Sequence, residues 1–164
     1  MTGIPRRRCR AKLQQEWLLH QGAPVKTLII EDEYISRVLL LEILSPLGEC
    51  HVAVTGPEAV ALIERAFDSD ERYDLVCLDI MIPGLDGQQV LKTIRRMEAD
   101  RGIVGQGATK VIMTTALDDS RNILEAFTVG KCDAYLTKPI DSGKLLAHLR
   151  NMQLVGRPGV GNAS

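Results

Sequence analysis

The sequence predicts an α/β domain built on a doubly wound parallel sheet of the (βα)₅ kind. Three observations carry this expectation. From Val25 onward, short apolar runs alternate with stretches of helical periodicity, five of each. The apolar runs are rich in Val, Ile and Leu and show no polar alternation, as strands covered on both faces require. Three of the runs end in charged groups, which places chemistry at one edge of the sheet.

The expected strands are 26–30, 50–54, 74–78, 110–114 and 133–136. Between them the pattern predicts helices near 33–46, 57–68, 87–100, 119–129 and 142–153. After Thr55 and Gly56, Pro57 suits the first position of the second helix, where a missing N–H costs nothing. Asp86 is placed to cap the third helix, Asp119 or Ser120 the fourth and Asp141 the fifth. Gly130 can end the fourth helix at positive φ. Gly102 to Gly107 reads as a flexible connector. Right-handed crossovers leave few topologies for such a chain.

The chain has 164 residues, 45% hydrophobic and 25% charged, enough for one domain with a core plus extensions. Its formal charge of −1 is unevenly spread. Residues 1–24 carry five basic residues (Arg6, Arg7, Arg8, Arg10 and Lys12) against Glu16, or +4. The remainder carries 15 basic against 20 acidic residues, or −5, which argues against a nucleic-acid-binding body. The basic arm is expected to be solvated and disordered, or to reflect a start site upstream of the true one. The tail from residue 154 is also expected to be flexible, leaving 25–153 as the domain. Cys9, Cys50, Cys77 and Cys132 show no metal-ligand spacing, and a reducing cytosol is the expected setting. Leu13-Gln14-Gln15-Glu16-Trp17 lacks the apolar stretch of a signal peptide, and no run reaches the ~18 apolar residues of a membrane span.

Leu28-Ile29-Ile30 runs into Glu31 and Asp32, Leu75-Val76-Cys77-Leu78 into Asp79, and Ala134-Tyr135-Leu136-Thr137 into Lys138. Each group has an ordinary explanation when taken alone. Glu31 and Asp32 could favour the start of a helix through its dipole. An Asp after a strand is usually a turn former or cap, which is how we read Asp86. Lys138 alone would be solvated, and Thr115 would be a β-branched strand residue. Asp79 departs from the turn explanation, because Ile80, Met81 and Ile82 separate it from Pro83-Gly84. If the strands are neighbours, three carboxylates and one ammonium converge. Such a cluster suits a hard cation such as Mg²⁺ or Mn²⁺; without one, a carboxylate must stay protonated. A cation there implies an anionic substrate, most simply a phosphoryl group.

With these residues in place, the sequence resembles the receiver domains of two-component response regulators, over about Val25 to Gln153. Asp79-Ile80-Met81-Ile82-Pro83-Gly84-Leu85-Asp86-Gly87 is similar to that family's phosphoacceptor loop. Glu31-Asp32-Glu33 resembles its acidic pocket, Thr114-Thr115-Ala116 its switch segment, and Leu136-Thr137-Lys138-Pro139 its lysine turn. The resemblance implies a flavodoxin-like strand order 2-1-3-4-5 and a cis Lys138–Pro139 bond. It implies that Asp79 accepts a phosphoryl group from a phosphohistidine on a sensor histidine kinase or histidine phosphotransferase. Asp32 would bind Mg²⁺ directly and Glu31 through water, with Asp79 and the Met81 backbone carbonyl completing the protein ligands. Thr115 and Lys138 would contact phosphoryl oxygens, and Tyr135 would move inward with Thr115. Ala116 would leave room for the donor.

Glu31 stands where Asp is also common in the family, the connector before the fourth strand is long, and residues 1–24 have no counterpart in it. The expectation is therefore a stand-alone phosphorylation switch or relay protein, monomeric or weakly dimeric. It would be a signalling phosphoacceptor rather than an enzyme, would lack a DNA-binding domain of its own, and would act through an output partner that the sequence does not identify. A phosphorylation-independent interaction module would not need Asp79, Asp32, Thr115 and Lys138 together. A hydrolase using an aspartyl-phosphate would place an acid–base Asp where Met81 stands. Met81 and Leu117, both apolar, flank the expected water approach and imply slow self-dephosphorylation.

Overall fold

The computed structural model of the chain describes residues 23–116, 124 and 131–155. Of the helix expected at 119–129, only Leu124 falls within that set. Trp17, Leu117, Gly130 and the candidate caps Asp119 and Ser120 lie outside it.

Five strands form one parallel sheet: β1 (Thr27–Ile30), β2 (Cys50–Ala53), β3 (Leu75–Asp79), β4 (Lys110–Thr115) and β5 (Ala134–Thr137). Their spatial order is β2-β1-β3-β4-β5, as expected. The four helices described are α1 (Tyr34–Leu44), α2 (Gly56–Asp68), α3 (Gly87–Asp100) and α4 (Ser142–Asn151). The sheet is buried on both faces, so strand side chains divide by parity. Leu28, Ile30, Val76, Leu78, Val111 and Met113 face Ala59, Ile63, Val90, Leu91 and Ile94 of α2 and α3. Ile29, Leu75, Cys77, Ile112, Ala134 and Leu136 face Leu40, Ile43, Leu44, Leu145 and Leu149 of α1 and α4. Truncating a fully buried member such as Leu91 to Ala is worth about 2–5 kcal/mol.

Boundaries follow local chemistry. Helix α1 stops at Leu44, two residues before the expected end, and a 3₁₀ turn over Ser45–Leu47 takes over around Pro46, which has no N–H to donate. Helix α2 begins at Gly56, one residue earlier than expected, because Thr55 caps it by accepting the Glu58 N–H at 3.2 Å. Asp86 and Gln89 form a reciprocal capping box on α3. Asp141 caps α4 through the Lys144 N–H at 2.8 Å. That helix ends two residues early in a Schellman turn. Gln153 adopts a φ of 62°, and the Leu154 and Gln153 amides donate to Leu149 and Arg150. The connector after α3 contains a 3₁₀ turn at Gly105–Gly107, and Arg72 donates to the Gly107 carbonyl at 3.1 Å.

Candidate functional site

Parity also builds the site. Ile29 and Cys77 are register partners that point toward α1 and α4, so Glu31 and Asp79, two residues further along, leave the sheet on that same side. Strand β3 has the expected five residues but lies one position later than 74–78. Asp79 is its last residue, paired with Thr114, and is 5% exposed. Glu31 is fully buried, whereas Asp32 is exposed. One carboxylate oxygen from each of Glu31, Asp32 and Asp79 lies within 4.8 Å of the others.

Lys138 closes the cluster from β5. Its Nζ donates to Asp79 Oδ2 at 2.8 Å and to Glu31 Oε1 at 3.1 Å. The Lys138–Pro139 bond is cis, and the Lys138 backbone N–H donates to the Thr115 carbonyl at 2.7 Å, tying the ends of β4 and β5 together. The other Asp79 oxygen, Oδ1, accepts the Met81 N–H at 2.9 Å. Thr115 is buried, with its hydroxyl donating to the Ala116 carbonyl at 3.2 Å. Met81 is exposed, and Tyr135 is 39% exposed on the outer edge strand.

The electrostatics are unbalanced. Burial pushes Glu31 up to about 7, Lys138 opposes that rise, and the Asp79 charge adds to it. Burial pulls Lys138 down, but hydrogen bonds to Asp79 and Glu31 outweigh it and hold the ammonium above its ordinary value. One lysine does not neutralise the cluster. Glu31 Oε2 lies 2.9 Å from Nζ in poor alignment, and this buried oxygen has no hydrogen bond among the described residues. A buried carboxylate oxygen without a hydrogen bond, sharing one ammonium with two more carboxylates, fits a hard divalent cation.

The structure thus brings together Glu31, Asp32, Asp79 and Lys138, with Met81 on the adjoining loop and Thr115 and Tyr135 on neighbouring strands. Three contributors had been given no role of their own. Arg37 donates to the carbonyls of Glu31 and Asp32 at 3.2 and 3.1 Å, fixing the acidic loop. Glu33 approaches Lys138 Nζ to 3.8 Å and accepts a hydrogen bond from Ser36. Gly87 packs against the base of the nucleophile loop, where a Cβ would stand 2.4 Å from the Asp79 carbonyl oxygen. Glu33 was visible as the third member of an acidic run; the other two depend on contacts that leave no periodic trace.

The chain is an α/β domain with an acidic pocket and a facing lysine at the carboxyl edge of its sheet. The family model for the response regulator receiver domain matches residues 27–150. The two-component response regulator ORR41 of rice (Oryza sativa subsp. japonica) is 29% identical over 79% of this chain and 95% of its own length. The transcriptional activator protein IrlR of Burkholderia pseudomallei is 32% identical over 78% of this chain, which spans 50% of that protein. The receiver domain of the Francisella response regulator 1452 superposes with a TM-score of 0.61 at 29% identity, covering 78% of this chain and 95% of that one. The chain belongs to the response regulator receiver domain family. No described helix is long and apolar enough to cross a membrane.

Proposed function

We propose that this chain takes a phosphoryl group onto Asp79 from a phosphohistidine on a partner kinase or phosphotransferase, and that the modified form switches partner binding or passes the group onward. The unit that does this is residues 25–153. The observation that carries the reading is Asp79 itself: a nearly buried carboxylate at a strand end, flanked by Glu31 and held by Lys138 at 2.8 Å.

Asp79 supplies the nucleophilic oxygen. A P–O bond forms as the P–N bond of the phosphohistidine breaks, and the imidazole keeps the electron pair and takes up a proton. Lys138 stabilises charge on the transferring oxygens, and the Thr115 hydroxyl offers a second donor once it turns from Ala116. Asp32, Glu31, Asp79 and the Met81 carbonyl are the groups that would hold Mg²⁺ or Mn²⁺. The ion would neutralise the carboxylates and supply Lewis-acid stabilisation of the phosphoryl oxygens. Tyr135 sits on the edge strand opposite Met113, two residues before Thr115 on β4, and is the aromatic group expected to follow Thr115.

The test is incubation with acetyl phosphate and Mg²⁺, read by intact mass. One added phosphoryl group is expected on the natural chain and none on Asp79→Asn, which loses both the nucleophilic oxygen and a charge. Equal labelling of the Asn variant would sink the site assignment.

A further inference from the structure

Asp79 Oδ1 is held by the Met81 N–H, so the position of the loop 80–86 sets the orientation of the nucleophile. At its base the loop is fixed by the sheet: the Ile80 N–H donates to Thr114 at 3.0 Å and the Gly87 N–H to Ile80 at 2.8 Å. Its far end is held from elsewhere. The Gly56 N–H, at the start of α2, donates to the Pro83 carbonyl at 2.9 Å. Here two glycines interlock. A Cβ on Gly56 would stand 2.5 Å from Leu85 Cβ and 2.7 Å from the Leu85 carbonyl oxygen. A Cβ on Gly84, which has a φ of 88°, would stand 2.7 Å from Pro57 Cδ. Each loop therefore occupies the space that a side chain on the other would need.

The holding turn is itself braced. Thr55 caps α2 through the Glu58 N–H, and the Glu58 carboxylate reaches back to the Val54 N–H at 3.0 Å. This turn follows β2, which lies two strands from β3 in the sheet, so the brace reaches the nucleophile loop from across β1.

We infer that the Thr55-Gly56-Pro57 turn is a positioning element for the phosphoacceptor loop, and that Gly56 and Gly84 set the placement of Met81 and, through its amide, of Asp79. Outer contacts that orient the groups binding a metal are typically worth about 10–100-fold in affinity. The inference rests on the phosphoacceptor reading of Asp79 and goes beyond it by assigning a role to residues that touch neither the phosphoryl group nor the ion.

The test uses the full chain and three variants. Gly56→Ala forces the loops apart. Pro57→Ala removes the ring over Gly84 and adds no heavy atom. Gly107→Ala is the control, because its new Cβ would meet only Ile103 Cγ2 at 3.8 Å. Two readouts are taken: Mg²⁺ affinity by amide chemical-shift titration, and hydrogen exchange of the Met81 amide in the metal-free chain. Gly56→Ala is expected to weaken Mg²⁺ binding on the order of tenfold or more. It should also deprotect the Met81 amide. Pro57→Ala should do both a few-fold, and Gly107→Ala neither. A folded Gly56→Ala with natural Mg²⁺ affinity and natural Met81 protection overturns the inference. If Gly56→Ala does not fold, unchanged values in Pro57→Ala overturn it instead. If the natural chain binds Mg²⁺ and is labelled while the variants match it, this inference alone fails. If the natural chain does neither, the phosphoacceptor reading fails with it.

Discussion

The two ends of the sheet each bury a network of charges, and the networks differ in whether they balance. At the amino end, Arg95 donates to both Glu98 oxygens at 3.3 and 3.0 Å, to Asp133 at 3.1 Å, and to the carbonyls of Thr109 and Lys131. The carboxylates are satisfied in turn, Glu98 by the Thr109 N–H and Asp133 by the Val111 N–H, each at 2.8 Å. Lys110 adds a second cation 4.0 Å from Asp133. At the carboxyl end, Lys138 alone among the described residues faces Glu31, Glu33 and Asp79, and a buried Glu31 oxygen lacks a hydrogen bond. A closed network fastens α3 to the starts of β4 and β5. An open one stores a demand for positive charge that a ligand can meet.

The comparison can be broken most sharply at Lys138. Lys138→Ala removes the only cation facing these carboxylates among the described residues, and the acetyl phosphate labelling rate should fall about 10²–10³-fold. A rate within threefold of natural would remove Lys138 from the chemistry. At the other end the effect should appear in stability. Arg95→Ala leaves Glu98, 2% exposed, without its countercharge, and urea unfolding should show a loss of about 3–5 kcal/mol. Asp79→Asn, by contrast, relieves repulsion with Glu31 and should cost no stability. If the two variants unfold alike, the distinction between a closed and an open network is wrong.

A pH series sharpens the same contrast. Glu31 titrates near 7 in the folded chain against an ordinary value of 4.5, so the folded form holds its proton more tightly. The Glu31 contribution to metal-free stability should therefore be fully present below pH 4.5 and be lost as pH rises to about 7, by at most on the order of 3 kcal/mol. Glu31→Gln should flatten that decline, and added Mg²⁺ should reverse it. Lys138, held above its ordinary 10.5, contributes stability that is lost only as pH rises through its folded value. The smallest effect concerns turnover. Met81→Asn places an amide where an apolar side chain now stands and should speed loss of label a few-fold. An unchanged decay rate would show that Met81 does not gate the attacking water.

Much of this was legible in the sequence because it repeats or terminates. Strand β3 appears as Leu75-Val76-Cys77-Leu78, and the lysine turn as Lys138-Pro139, since a charge ending an apolar run breaks a local pattern. The addition of Asp79 to β3 was not visible, because its pairing with Thr114 depends on a register set 35 residues away. The full burial of Glu31 was hidden for a similar reason: Lys138, which donates to it, is 107 residues away. Arg95 and Asp133 are 38 residues apart, and neither sits in a motif. Gly56 and Gly84 read as ordinary turn residues until the loops that carry them are seen in contact.

The two oxygens of Asp79 are tethered differently, and that makes the carboxylate directional. Oδ1 is fastened to the chain's own backbone two residues away, and Oδ2 to the end of a long, rotatable side chain. An electrophile arriving at Oδ1 must displace a donor that can move only with the loop; at Oδ2 it displaces an ammonium that can swing toward Glu31 or Glu33. The second exchange costs less, so successive groups should enter through the same oxygen. A carboxylate that is symmetric as a free ion becomes regioselective here, its two oxygens told apart by a single amide.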